Sequence, residues 1–291
     1  MNTNIWLIRR EFWENRAIWM IPAILGGLMV LTALFGQVNR ISIPLQFPSH
    51  AVGGGFLLAV GGTFFVVMTV YSTWYLLDCL YADRKDRSIL FWKSMPISDT
   101  TTVMSKLATA LIVIPAVYFV AADLTSLLMA FILSVRASSV IGAALWHVDL
   151  WLQLQVLWLY VIVTSAIWYL PLAAYLLVVS AWAKRAVMLW SILPPIALVL
   201  AERWLFGTHV IANQLWERLA GLGRLTFHDD AGCCSWVTTV VENDTIRTPT
   251  SIWGFLNPGG FASSPETWIG AAVGVGLIVC AVQLRIRRTE A

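Results

Sequence analysis

The stretch AIWMIPAILGGLMVLTALF (Ala17–Phe35) carries no charged residue over its 19 positions. A helix needs roughly 20 apolar residues to cross the hydrocarbon core of a bilayer, so this stretch is long enough to be a membrane span. Other long runs with one charged residue at most lie at 53–77, 107–135, 150–183 and 267–284, and a shorter one lies at 186–201. The runs predict an integral membrane protein rather than a soluble domain.

The composition agrees with this class. Hydrophobic residues make up 59% of the sequence and charged residues 12%, about half the charge of an ordinary soluble domain. We predict an all-α fold, a single transmembrane domain over residues 1–291 with six transmembrane helices. The predicted spans are residues 17–35, 53–77, 105–135, 150–183, 186–205 and 267–285. Spans three and four exceed the bilayer thickness and therefore either tilt or project into the cytoplasm.

The basic residues predict the orientation of the chain. With the N-terminus inside and six alternating spans, 13 of the 19 lysine and arginine residues fall on the cytoplasmic side. This excess satisfies the positive-inside rule and places both termini in the cytoplasm. Because the basic residues flank spans and form no stripe on a folded surface, we expect no nucleic-acid partner. The bilayer itself is the expected environment.

The first 16 residues predict an amphipathic helix that lies in the headgroup plane of the membrane. Its apolar face carries Trp6, Phe12 and Trp13, and its polar face carries Arg10, Glu11 and Glu14. The alternative is a helix continuous with the first span. At the other end, residues 206–266 predict an outer helical segment before the last span, with an amphipathic portion over 209–222.

No catalytic motif is present in the sequence. A phosphate-binding GxxxxGK[ST], an HExxH and a GxSxG are all missing, and the histidines are scattered, so we assign no metal site. The glycines at 53–55 and 61–62 lie in an apolar span without a lysine, which favours close helix packing. If the protein uses energy, another chain must supply it.

Residues 78–106 (DCLYADRKDRSILFWKSMPISDTTTVMSK) are the most informative segment outside the spans. Charges cluster at 83–87, an apolar patch follows at 89–92, and Pro96 ends any helix that precedes it. We predict a short cytoplasmic helix over 83–96 whose aromatic residues dock against another protein. The alternative is a helix that lies on the membrane surface.

This segment resembles the first cytoplasmic loop of type-2 ABC exporter permeases. The corresponding residues are an acidic–basic pair, a leucine-rich turn, a small-x-Pro-hydrophobic-Ser step and a lysine, here Asp83–Arg84, Ile89–Trp92, Ser94–Ser98 and Lys106. The family more often has glutamate where this chain has Asp83. The segment before the last span, with Asn257–Pro258, Phe261, Pro265 and Trp268, resembles the outer helix and re-entry of the same family.

The resemblance implies a half-transporter in the plasma (bacterial inner) membrane. Two permease chains, identical or related, would pair through spans one and five, and each would rest on a separate ABC ATPase subunit that binds ATP and magnesium. No cofactor is expected in this chain. The residues implied in ATPase coupling are Asp83, Arg84, Arg87, Ile89, Leu90, Phe91, Trp92 and Pro96.

The same resemblance implies a substrate pathway lined partly by spans two and five. Its candidate residues are Thr63, Thr69, Ser72 and Thr73 in span two and Ser191, Pro194 and Pro195 in span five. The alternative is structural, since hydroxyls in membrane helices bond to the backbone and prolines kink helices. Asp123, the one ionisable residue at membrane depth, either binds a cationic group of substrate, caps a partner helix or stays protonated.

Two functions follow from the sequence. The first is the permease subunit of an ATP-driven exporter for an amphipathic or lipid-like substrate, such as a peptide antibiotic or an envelope component. The alternative is a membrane scaffold or sensor whose outer segment binds a ligand without transport. Retention of an ATPase subunit on the purified chain distinguishes the two.

Overall fold

The computed structural model describes residues 3–36, 49–85, 98–136, 145–227, 240–242, 245–247 and 252–288. Its helices are α1 Thr3–Glu14, α2 Ala17–Phe35, α3 Ser49–Lys85, α4 Asp99–Ala108, α5 Ile114–Arg136, α6 Val148–Trp168, α7 Leu170–Trp182, α8 Val187–Phe206, α9 Val210–Ala220, α10 Leu222–Thr226, α11 Pro258–Ser263 and α12 Pro265–Arg288. A π-helical turn, Thr109–Val113, joins α4 to α5, and a short 3-10 helix spans Ile252–Gly254.

Six helical segments are long and apolar enough to cross a membrane. They are Ala17–Phe35, Gly53–Lys85, Asp99–Arg136, Val148–Trp168, Val187–Phe206 and Pro265–Arg287. The prediction of six apolar helices long enough to cross a membrane is confirmed. Besides helices, the described residues contain one antiparallel pair of three-residue strands, β1 Val240–Glu242 and β2 Thr245–Arg247, in which Val241 lies opposite Ile246, and one isolated β-bridge between Phe227 and Leu256.

The structure divides the predicted fourth span, 150–183, into two helices. The 21-residue α6 ends at Trp168, the chain turns at Tyr169, and the 13-residue α7 follows. Pro171 lies in the first turn of α7, where its missing N–H costs nothing but where it cannot continue the hydrogen bonds of α6. A single long span over 150–183 is therefore corrected to a spanning helix and a shorter apolar one.

Two helices are much longer than the bilayer is thick. The 37 residues of α3 and the 38 residues of Asp99–Arg136 give lengths of roughly 55 and 57 Å, against a hydrocarbon core of about 30 Å. The π-turn inside the second helix precedes Pro115. Because proline has no backbone N–H, one hydrogen bond of the regular helical series is missing there. Each helix is therefore longer than an untilted membrane span requires.

The short helix α7 lies in the core of the bundle and packs on α3 and α12. Its Ser180 is fully buried, and the Ser180 hydroxyl accepts hydrogen bonds from the backbone N–H groups of Leu80 and Tyr81 at 3.2 and 3.1 Å. Arg84 of α3 donates to the carbonyl oxygens of Ser180 and Ala183, the latter at 2.9 Å. A cation at the carboxyl end of a helix satisfies its last carbonyls and the helix dipole. Arg84 thus caps α7.

The fifth span, α8, is the least packed of the six. Only 11% of its most apolar stretch is buried, against 22–39% for the other spans. Pro195 leaves the Ser191 carbonyl without its helical partner, and the Tyr175 hydroxyl of α7 donates to that oxygen at 3.0 Å. One side-chain hydrogen bond therefore compensates the proline break and ties α8 to the core.

Candidate functional site

Five charged side chains from four helices meet where α3 ends and α4 begins. We call this end of the bundle the terminal side, because Glu11 of α1 and Arg285 of α12 also lie there, and the opposite end the distal side. The charges alternate along what we call the terminal-side ion-pair network. Its contacts are Glu11–Lys106 at 3.1 Å, Lys106–Asp83 at 3.3 Å, Asp83–Arg285 at 3.3 Å and Arg285–Asp99 at 2.9 Å.

Three of the five network residues are buried, and Asp83 and Asp99 are partly buried. Glu11, Lys106 and Arg285 are 3%, 4% and 6% exposed. A buried charge is costly unless it is paired and hydrogen-bonded, and each of these groups has a partner of opposite sign. The Tyr75 hydroxyl of α3 donates to the second carboxylate oxygen of Glu11 at 2.8 Å, so both oxygens of that group are occupied.

The local sequence places the network at both ends of the loop between α3 and α4. Asp83 lies in the last turn of α3. Asp99 opens α4, where the Ser98 hydroxyl accepts the Thr101 N–H at 3.1 Å as the N-cap. Lys106 lies two turns further on the same helix. Residues 86–97 are therefore flanked by Asp83 and Asp99, which both bind Arg285 of α12, and Lys106 connects Asp83 to Glu11 of α1.

One residue of the polar face predicted for the N-terminal helix is not exposed. Glu11 is buried against the bundle at 3% exposure, whereas Trp6 and Trp13 are 54% and 69% exposed. The reason is electrostatic, because the Lys106 ammonium and the Tyr75 hydroxyl both donate to the Glu11 carboxylate. The amphipathic helix is present as α1, with part of its polar face turned towards the protein.

The structure describes two of the eight residues predicted to couple to an ATPase. Asp83 and Arg84 are described, and both make contacts within the chain, with the network and with the end of α7. The remaining predicted coupling residues lie outside the described residues: Arg87, Ile89, Leu90, Phe91, Trp92 and Pro96.

A cleft of about 830 Å³ opens beside the network, between α1, α2 and α3. Glu11, Asp83 and Lys106 border it, so the ion pairs form part of its polar wall. Its other polar residues are Arg10, Glu14, Asn15 and Asp78, and its apolar and aromatic residues include Ile21, Val67, Val70, Tyr71, Trp74 and Tyr75. The terminal-side cleft is therefore amphipathic.

The hydroxyl residues predicted to line a pathway do not border this cleft. Thr63, Thr69 and Thr73 donate to the carbonyl oxygens four residues earlier in α3, at 2.7, 2.9 and 2.9 Å. The Ser72 hydroxyl is buried and has no partner among the described residues. In α8, Ser191 donates to the Met188 carbonyl at 2.8 Å, and Pro194 lies within the same helix. These contacts favour the structural alternative.

Asp123 does line a cavity, a second and smaller one between α3, α5 and α6. The cavity has a volume of about 40 Å³. Gln155 of α6 donates a side-chain hydrogen bond to the Asp123 carboxylate. Gly61 also borders the cavity, and a Cβ there would lie 2.4 Å from the Trp158 ring, so the close packing predicted for this glycine is present.

The distal side is held by two charged residues that bond to backbone groups. The Glu202 carboxylate accepts the N–H groups of Val210 and Ile211 at 2.6 and 2.8 Å, which caps the start of α9. Arg218 of α9 donates to the Glu266 carbonyl at 3.0 Å and lies 4.2 Å above the Trp168 ring. Burial lowers the pKa of the Arg218 guanidinium, and Glu266 acts in the opposite direction.

Sequence analysis missed most of the ion-pair network. Glu11 was assigned to a polar surface, and Tyr75, Asp99 and Arg285 had no assigned role; only Asp83 and Lys106 were noted. The one signal in the sequence is that charges of both signs flank the predicted spans on the same side. Which of them pair depends on helix neighbours that the sequence does not show.

The part of the chain that the structure describes contains no group of three or more His, Cys, Asp or Glu side chains that could hold a metal ion. The chain matches no protein-family model, no curated protein and no solved structure.

Proposed function

We propose that this protein is the membrane-spanning permease subunit of an ATP-driven ABC-type exporter. The observation that supports the proposal most is the terminal-side ion-pair network. Asp83 and Asp99, on either side of the segment that carries the aromatic patch, both bind Arg285 of the last span, and Lys106 connects Asp83 to Glu11 of the N-terminal helix. A segment that passes movement from an ATPase to membrane helices needs such attachments.

The two helices that flank the loop are suited to carry the movement further. Both α3 and Asp99–Arg136 are continuous helical segments that run from the network through the membrane. Buried ion pairs resist separation, because parting them leaves unpaired charges in a poorly solvated site. A displacement of the loop therefore shifts α1, α3, α4 and α12 together rather than one helix alone. In this proposal Asp83 acts by linking α3 to α4 and α12.

The terminal-side cleft supports the proposed substrate class. Its wall combines apolar side chains such as Ile21 and Val70 with aromatic Trp74 and with the carboxylates of Glu14 and Asp78. A binding site with apolar walls and a few polar groups suits a molecule that has both characters. This supports an amphipathic or lipid-like substrate, such as a peptide antibiotic or an envelope component.

The proposal includes partners and an orientation. Two such chains would pair through α2 and α8, and the small buried share of α8 leaves apolar surface for that contact. Each chain would bind one ATPase subunit, which holds ATP and magnesium, from the cytoplasmic side of the plasma membrane. The terminal side would then be cytoplasmic, as the positive-inside rule predicts.

The aromatic patch provides the test. Aromatic anchors in a pocket contribute about 2 kcal/mol each, so replacing Phe91 and Trp92 together by alanine should weaken ATPase association at least about a hundredfold. The measurement is retention of the ATPase subunit on the purified chain, together with ATP turnover in nanodiscs. The matched control is Trp13→Ala, which removes an exposed aromatic residue of α1 and should leave retention unchanged.

Two outcomes contradict parts of the proposal. If the double variant keeps the ATPase at the wild-type level, the patch does not couple and the loop lies on the membrane surface. If the unaltered chain retains no ATPase at all, the permease function is wrong, and the scaffold or sensor function replaces it.

A further inference from the structure

The cavity between α3, α5 and α6 combines one carboxylate with an absence of basic residues. None of the described residues that line it is a lysine, arginine or histidine. The lining set is Leu57, Gly61, Phe64, Phe65, Met68, Tyr118, Phe119, Ala122, Asp123, Ser126, Trp151, Leu154, Gln155, Trp158 and Ile162. Among the described lining residues, Asp123 therefore has the only carboxylate, and Tyr118 is the only other titratable residue.

The contacts of Asp123 do not compensate its charge. Its recorded partner is the neutral amide of Gln155, which donates to one carboxylate oxygen. A charged side chain within a membrane is costly and is normally paired with a group of opposite sign. This differs from Asp83, whose carboxylate is bound by Lys106 and Arg285. The described lining residues therefore supply no positive charge to balance an ionised Asp123.

Several oxygen atoms of the lining side chains have acceptor capacity left. Gln155 uses its amide nitrogen for Asp123, which leaves its side-chain oxygen. The Ser126 hydroxyl donates to the Ala122 carbonyl at 2.8 Å and keeps its lone pairs. The Tyr118 hydroxyl is buried without a hydrogen-bond partner among the described residues, and Tyr118 as a whole is 1% exposed. Buried polar groups of this kind are normally satisfied by a partner.

We propose that this cavity binds a small monovalent cation, with Asp123 as its charged ligand. One carboxylate balances one positive charge, whereas divalent magnesium or calcium takes more carboxylate or water ligands than the cavity offers. Its volume of about 40 Å³ has room for an occupant the size of Na⁺ or of a primary ammonium group. Trp151 and Trp158 also line the cavity, and the faces of aromatic rings attract cations.

This inference does not rest on the proposed function. A scaffold with the same cavity would bind the cation equally well, so failure to retain an ATPase leaves the cation site untouched. Loss of cation binding, in turn, leaves the loop and its ATPase contacts as they were. The two proposals are therefore tested by separate measurements on the same purified protein.

The test is direct binding of radiolabelled Na⁺ and of radiolabelled methylammonium to the full chain in nanodiscs. Wild-type protein should bind at least one of these probes saturably, with one site per chain. Saturable binding of Na⁺ identifies a metal-ion site, and binding of methylammonium alone identifies a site for the ammonium group of a larger molecule. Absence of saturable binding of either probe overturns the proposal.

Asp123→Asn removes the charge with little change of shape and should weaken binding at least about tenfold. The matched control is Asp149→Asn, which removes an exposed carboxylate of α6 that does not line the cavity, and it should bind as the wild type does. Equal binding by Asp123→Asn and the wild type overturns the proposal. If Asp123→Asn does not insert, Gln155→Leu decides, because it keeps the charge but removes a neutral ligand: weaker binding supports the site, and unchanged binding overturns it.

Discussion

The two ends of the helical bundle use charged residues in different ways. At the terminal side, charged side chains from α1, α3, α4 and α12 pair with one another. At the distal side, Glu202 and Arg218 bond mainly to backbone groups, at the start of α9 and at Glu266. The first arrangement joins distant helices, and the second closes a loop onto a nearby helix end.

The two ends should differ in how many helices a single substitution affects. Loss of one charge at the terminal side leaves a buried partner charge in another helix, so the effect reaches several helices at once. Loss of a distal anchor leaves a few N–H or C=O groups near the end of the bundle, where water can replace the lost bond. Substitutions at the terminal side should therefore change global stability, and those at the distal side should change local order.

The largest effect is expected for Lys106→Met. This change leaves the carboxylates of Glu11 and Asp83 without their shared cation and should lower the free energy of unfolding by about 3–5 kcal/mol. The measurement is unfolding in a denaturing detergent, followed by circular dichroism. The control is Arg10→Ala, which breaks a pair with Glu14 whose side chains are 22% and 50% exposed, and it should cost less than about 1 kcal/mol. Similar losses of unfolding free energy in both variants would mean that Lys106 stabilises the fold no more than the Arg10–Glu14 pair does.

A smaller and local effect is expected for Glu202→Ala. The variant loses the hydrogen bonds to the N–H groups of Val210 and Ile211, so these N–H groups in the first turn of α9 are left without their acceptor. Hydrogen exchange should speed up in α9 while the amides of α7 keep their protection. Glu217→Ala, which breaks an exposed pair with Arg224, serves as the control and should change neither helix appreciably. Equal loss of protection in α7 would contradict the separation of the two ends.

The smallest effect is expected for Gly270→Ala. The added Cβ would lie 1.3 Å from an Arg218 nitrogen, so the guanidinium must leave its place over Trp168, at a cost of about 1 kcal/mol. Exchange of the α9 amides should rise slightly. The control is Gly276→Ala on the same helix, where an added Cβ would meet no neighbouring atom within 4 Å. It should leave the exchange of the α9 amides unchanged. If both variants behave alike, Arg218 does not anchor α9.

The sequence by itself determined the class of the protein and the number of apolar helices. The free energy of placing a helix in a bilayer is a sum over consecutive residues, so it can be read from any uncharged run of about 20 residues. The limits of such runs are less well defined. The turn at Tyr169 falls within an uninterrupted apolar stretch, and only Pro171 marks it.

Only the tertiary structure decided which charged groups meet. Asp99 and Arg285 are 186 positions apart, and Glu11 reaches Tyr75 across 64 positions. Arg84 caps α7, which lies about a hundred positions away. A charge at the edge of a span is equally compatible with water, a lipid headgroup or a partner helix. The choice among them depends on which helices become neighbours, and that is a property of the packed bundle rather than of any local stretch of sequence.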